Sequence, residues 1–232
     1  MKLHNPFSDL TLFERILWLT SVTVILLSAV LFGGSDVLGT IASIVGVTSL
    51  IFVAKGYVIG QILMVIFAVV YGIISLWFRY YGEMITYVGM SAPMAVVSMI
   101  AWLKNPYQKS KEVKVNKVNS KQLAMGLMLT VIVTVAFYFI LGALNTANLV
   151  ISTLSITTSF LAAYLTYLRS PYYALVYASN DVVLIVLWVY ACISDMSYLP
   201  MIICFSMFLI NDLYGFYNWK RMAKRQSVGF SE

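Results

Sequence analysis

An all-α polytopic membrane protein of about eight transmembrane helices is the fold class this sequence predicts, and three observations predict it. Of 232 residues, 61% are hydrophobic and only 10% charged, where a soluble domain carries about 25% charge. The apolar residues gather into eight runs, each near the roughly 17–25 residues a bilayer requires. The basic residues sit between alternate runs, as the positive-inside rule demands of a chain that crosses repeatedly. The net charge of +6 therefore reflects membrane topology, and nucleic acid is not an expected partner.

Residues 1–14 are polar and lack the small-residue cleavage site of a signal peptide. His4 reads as a solvated residue there, and Thr11 with Glu14 fits a capping box that starts a helix. The apolar spans follow at 15–33, 36–54, 57–78, 84–103, 123–144, 147–168, 172–193 and 197–218. Turn residues such as Gly33-Gly34, Lys55-Gly56 and Asn145 mark the short connections. The stretch Lys104 to Gln122 holds six lysines and reads as a solvated loop, with anionic-lipid contact as the sharper alternative. Cys192 and Cys204 lie inside spans and read as small buried hydrophobes.

Orientation follows from counting. With eight spans both termini share one side, which receives Lys2, Arg15, Lys55, the six loop lysines, Arg169, Lys220, Arg221, Lys224 and Arg225, or 14 of the 15 basic residues. Arg79 alone falls on the other side, so both termini are expected in the cytoplasm, with the chain in the cell membrane. The spans also suggest repetition. Lys55-Gly56-Tyr57 opens a unit that ends in Trp102-Leu103-Lys104, and Arg169-Ser170-Pro171-Tyr172 opens one that ends in Trp219-Lys220. Each turns at an acid, Glu83 or Asp195. The expected organisation is a cytoplasmic N-terminus and extra helix (1–35), a first three-helix repeat (36–103), a basic loop and linking helix (104–146), a second parallel repeat (147–219) and a basic tail (220–232).

Chemistry is concentrated near the end of the chain. Asn180-Asp181 and Asn211-Asp212 lie nine residues past Pro171 and eight before Trp219. Each pair is thus roughly 12–14 Å from the same face, near the middle of a core about 30 Å thick. A carboxyl at that depth is a functional-site hypothesis by default. Tyr173, Tyr177, Asn180, Asp181, Leu184 and Trp188 share one helical face. Rings at that spacing can stack on a flat ligand while the amide bonds its edge, or they can belong to an interfacial belt with Asn180 bonding a neighbouring helix. Cys204, Met207, Asn211, Tyr214, Gly215 and Asn218 form the facing stripe, where Gly215 reads as a close-approach residue. No basic residue shares the depth of Asp181 and Asp212, so Thr157, Thr158 and Ser159 are their candidate hydroxyl partners, with protonation or a cationic ligand as alternatives. Gln61, Tyr71, Tyr87 and Ser91 are the first repeat's candidates, and Pro93 should kink its helix. No metal-ligand spacing, phosphate loop or nucleophile motif is present, so neither an enzyme nor a cofactor is expected.

The run Asn211-x-x-Tyr214-Gly215-x-x-x-Trp219, the helix from Tyr173 to Asn180, the Tyr80-Tyr81-Gly82 turn, the two-repeat topology and the overall length together resemble the PnuC-type vitamin transporters, a family that takes up nicotinamide riboside. The resemblance covers roughly 36–225. It implies a seven-helix core related to the SWEET sugar transporters, one substrate site between two bundles, and a homotrimer. It also implies facilitated diffusion made one-way by a cytoplasmic riboside kinase. The sequence departs from the family where Trp-x-x-Trp-x-x-x-Asn is replaced by Tyr173, Val176 and Asn180, and where the first repeat carries Met94, Val97, Ser98 and Trp102. The expected ligand contacts are therefore Asn180, Asp181, Tyr173, Tyr177, Trp188, Asn211, Asp212, Tyr214, Gln61 and Tyr87. Thiamine, riboflavin or another nucleoside-like or sugar solute, with proton coupling through Asp181 or Asp212, is the second expectation. A membrane scaffold whose Asn-Asp pairs lock helices is the third.

Overall fold

The computed structural model describes residues 5–32, 37–77 and 81–228. Among them eight helices are long and apolar enough to cross a bilayer, the number read from the hydropathy. They are α1 (Leu12–Phe32), α2 (Val37–Ala54), α3 (Val58–Trp77), α4 (Tyr81–Leu103), α5 (Ser120–Ala143), α6 (Leu149–Tyr167), α7 (Tyr173–Ser194) and α8 (Leu199–Val228). Lys2, His4, the Gly33-Gly34 turn, Arg79 and Tyr80 lie outside the described residues.

Local chemistry sets the helix ends. The amide of Glu14 donates to Thr11 Oγ1 (3.3 Å) and the amide of Thr11 to Glu14 Oε2 (2.7 Å), so α1 begins at a complete capping box. A second box, Asn119 with Gln122, starts α5 three residues before the hydropathy edge at 123. Pro93 has no amide hydrogen to return to the preceding turn, and α4 answers by widening into a π-helical turn over Tyr87–Ser91. The expected basic tail is helical as far as Val228, because α8 runs on past the apolar span.

The helices pack in two groups that meet reciprocally. α3 lies against both α2 and α4, and α7 against both α6 and α8; across the middle α2 meets α8 and α4 meets α6. The turns that end α2 and α6 are built alike. Gly56 N donates to Val53 O and Tyr57 N to Phe52 O; Arg169 N donates to Thr166 O and Ser170 N to Leu165 O. Both are Schellman closures, with Gly56 (φ 69°) and Arg169 (φ 58°) in the left-handed region. Trp219 Nε1 then caps the Val53 carbonyl (2.8 Å) and Trp102 Nε1 the Thr166 carbonyl (2.9 Å), with the two indoles 5.4 Å apart.

The lysine-bearing stretch keeps its six lysines exposed, as a solvated loop does, but it is also seated on the helices. Val113 is 1% exposed, its amide donates to Gly56 O, and Asn116 N donates to Arg169 O. Gln226 on α8 accepts from Val115 N and donates to Val113 O. A single buried valine among polar neighbours gave the hydropathy no signal, yet it seats the loop across both closing turns.

Replacing Trp102 or Trp219 by Phe should keep the ring packing and leave a buried carbonyl without its donor, at a cost of about 1–3 kcal/mol each. A lowered thermal midpoint for both in detergent, with Trp77→Phe (68% exposed) unchanged, would bear this out.

Candidate functional site

Between the two helical groups lies a cavity of about 530 Å³. It runs from Thr166 and Tyr173 to the α5–α6 loop at Asn145–Asn148, so it extends along much of the span. Its walls come from α2 to α8, with α5 giving only Leu141.

The α7 stripe lines this cavity as the spacing predicts: Tyr173, Tyr177, Asn180, Asp181, Leu184 and Trp188 all reach it. Asn180 is 6% exposed, and its Oδ1 accepts from Ser155 Oγ (3.0 Å) and Thr158 Oγ1 (2.8 Å) on α6. Those two donors fix the amide orientation and leave its NH₂ group as the available donor. Of the three hydroxyls expected to serve the carboxyls, Thr158 serves the amide instead. Thr157 pairs with Thr134 on α5, and Ser159 bonds its own helix at Ser155 O.

The α8 pair divides. Successive residues on a helix are about 100° apart, and only Asp212 turns to the cavity, which Asp181 also lines. Asn211 points the other way, donating to Ser21 Oγ on α1 (3.0 Å) and Met207 O (2.8 Å). Tyr214 Oη likewise donates to Glu14 Oε1 (2.7 Å). Neither lines the cavity, which corrects the expectation for both. They fasten α1, together with Trp18 Nε1 to Thr48 Oγ1 (3.0 Å) and the Glu14–Lys55 ion pair (3.0 Å). A Cβ on Gly215 would meet Tyr173 Oη at 3.4 Å, ordinary contact, so the close approach there does not require glycine.

From the first group come Gln61, Tyr71, Tyr87 and Ser91, as expected. The π turn places Tyr87 4.5 Å from Tyr71 and edge-on to Phe67 (5.8 Å). Across the cavity Trp188 lies 5.4 Å from Tyr198, in the short turn before α8. Sequence reasoning missed Glu83, Ser155, Phe67 and Tyr198 as lining residues. Glu83 read as a loop acid, but it belongs to the first turn of α4, near Ser75 Oγ (3.4 Å). Ser155 falls on the Thr158–Ser159 face at i−3 and i−4, a spacing that could have found it.

Eight membrane-crossing helices with a ring-lined central cavity fit a multi-pass membrane transporter of small solutes. Residues 36–221 match the family model described as nicotinamide mononucleotide transporter, and the chain belongs to that family. It is 25% identical over 226 residues to the nicotinamide riboside transporter PnuC of Neisseria mucosa (95% of this chain, 86% of the relative). It is 24% identical over 214 residues to the protein of the same name from Haemophilus influenzae (91% of each). The crystal structure of the vitamin B3 transporter PnuC superposes with a TM-score of 0.79, at 24% identity over 94% of both chains. Helix α1 lies outside the matched region.

Lys55→Met would leave Glu14 buried (1% exposed) without its cation, a loss toward the low end of about 3–5 kcal/mol. Tyr214→Phe and Asn211→Leu should also lower thermal stability while ligand affinity stays within about threefold. Loss of affinity in step with stability in those two variants would put them back in the site.

Proposed function

We propose that this protein imports nicotinamide riboside across the cytoplasmic membrane by facilitated diffusion. One observation carries the reading. Asp181, Asp212 and Glu83 line the cavity together with aromatic rings, and none of the described lining residues is Lys, Arg or His. A pyridinium is a flat cation, attracted both by carboxyls and by ring faces. The free NH₂ of Asn180 and the hydroxyls of Ser91, Ser98 and Ser159 suit a ribose. Among the predicted contacts we retain Asn180, Asp181, Asp212, Tyr173, Tyr177, Trp188, Gln61 and Tyr87. The same lining disfavours the mononucleotide, because its phosphate would be desolvated among acids with no cation to meet it. The names of the relatives, nicotinamide riboside transporter in both cases, support this choice over the mononucleotide of the family description.

Alternation of access by rocking α2–α4 against α6–α8 fits a site between the two groups. The distribution of basic residues supports cytoplasmic termini. Facilitated diffusion carries its solute only to electrochemical equilibrium, so sustained uptake requires a downstream step that consumes it; phosphorylation by a cytoplasmic riboside kinase is the step we propose. A homotrimer is part of the same reading, through the family resemblance.

Calorimetry on the purified protein with nicotinamide riboside, nicotinamide mononucleotide, thiamine and riboflavin tests this. The riboside should bind at micromolar level and the mononucleotide at least about 100-fold more weakly. Asn180→Ala should lose at least about tenfold in affinity. Equal binding of riboside and mononucleotide, or an unaltered Asn180→Ala, would sink the assignment.

A further inference from the structure

We propose that the cleft between the start of α1 and the end of α8 binds an anionic phospholipid, with Arg221 on its phosphate. The proposal is independent of which solute the protein carries.

The cleft holds about 470 Å³, and no described residue lines both it and the central cavity. It depends on α1, which supplies Phe13 and Glu14 to its wall. Two ion pairs lie in it. Glu14, with Lys55 and the Tyr214 hydroxyl on its carboxylate, is the inner one. Glu112, from the lysine-bearing stretch, with Arg225 on α8 is the outer one. Three cations against two carboxylates leave one positive charge, and it belongs to Arg221. That guanidinium lies 5.6 Å from the centre of the Tyr217 ring and meets no carboxylate among the described residues. Its planar fork suits the oxygens of a phosphate ester.

The surroundings choose among phosphate esters. Phe13 and Tyr217 border the cleft and are 59% and 57% exposed. Ile16, about one turn after Phe13, is exposed, as are Leu213 and Ile210, one and two turns before Tyr217. An apolar strip thus runs from the guanidinium into the part of α1 and α8 that crosses the hydrocarbon. A water-soluble phosphate would use Arg221 and leave the strip bare, whereas a phospholipid covers both. A zwitterionic headgroup would bring its own cation beside Arg221, so the remaining charge favours an anionic one. Basic pockets between helix ends at the membrane surface are suited to such headgroups. A lipid in this cleft touches α1 and α8 together and fastens the first helix to the bundle.

Thermal midpoints of the purified full-length protein in detergent test this, with three probes titrated separately. Dioleoylphosphatidylglycerol should raise the midpoint saturably, dioleoylphosphatidylcholine with the same chains much less, and glycerol 3-phosphate, which has no chains, not at all. Arg221→Gln should need at least about fivefold more phosphatidylglycerol for half its effect, the factor one basic residue contributes at an anionic surface. Lys224→Gln, an exposed cation of α8 outside the cleft, should behave as wild type. Equal shifts with the two lipids, or an Arg221→Gln titration like the wild type, would overturn the proposal. So would equal weakening in both variants, which is diffuse surface attraction. A full shift with glycerol 3-phosphate alone would replace the lipid by a soluble phosphate ester.

Discussion

Hydrocarbon offers no partner to a peptide group, and most features of this fold answer to that constraint. Helices satisfy their own backbones, which is why the membrane crossings are helical throughout. Where the ladder must be interrupted, the repair is local. Pro93 removes one amide, and the turn before it widens to a π form. The last turns of α2 and α6 close on themselves through left-handed residues, and indoles from α8 and α4 cap the Val53 and Thr166 carbonyls. Even the span hydroxyls mostly return to their own helices, Thr130 to Gly126 O and Thr166 to Ala162 O among them.

Repair and function coincide in α4. The π turn that accommodates Pro93 is also what presents Tyr87 beside Tyr71 and Phe67 in the cavity. A regular helix through this region would rotate Tyr87 relative to Met94 and Ser98, since each extra residue in a turn advances the face by about 100°. The π-helical stretch of α4 thus adds Tyr87 to the rings that α3 brings to the site.

Against this shared plan α1 stands out as an addition. It touches α2 through Trp18 and Thr48, and α8 through Ser21 and Asn211, so it bridges the two groups. Glu14 concentrates this role. One carboxylate caps its own helix, pairs with Lys55 and accepts from Tyr214. Lys111–Asp9 and Arg225–Glu112 add surface pairs on the loop that seats across the closing turns, which water screens and which contribute little.

What the sequence determined by itself is what depends on composition along one chain. Span number, the capping box at Thr11 and the α7 stripe from Tyr173 to Trp188 were all legible, because helical period and bilayer thickness convert residue number directly into face and span. The tertiary structure decided which neighbour each face meets. Asn211 and Tyr214 look equivalent to Asn180 and Tyr177 in the sequence, yet α1 packs over them and takes their hydrogen bonds. Glu83 and Ser155 look incidental, yet the crossing of α4 and α6 turns them into the cavity. Adjacent residues on a helix differ by about 100°, and only the packing of the other helices says which of the two directions holds a ligand and which holds the protein together.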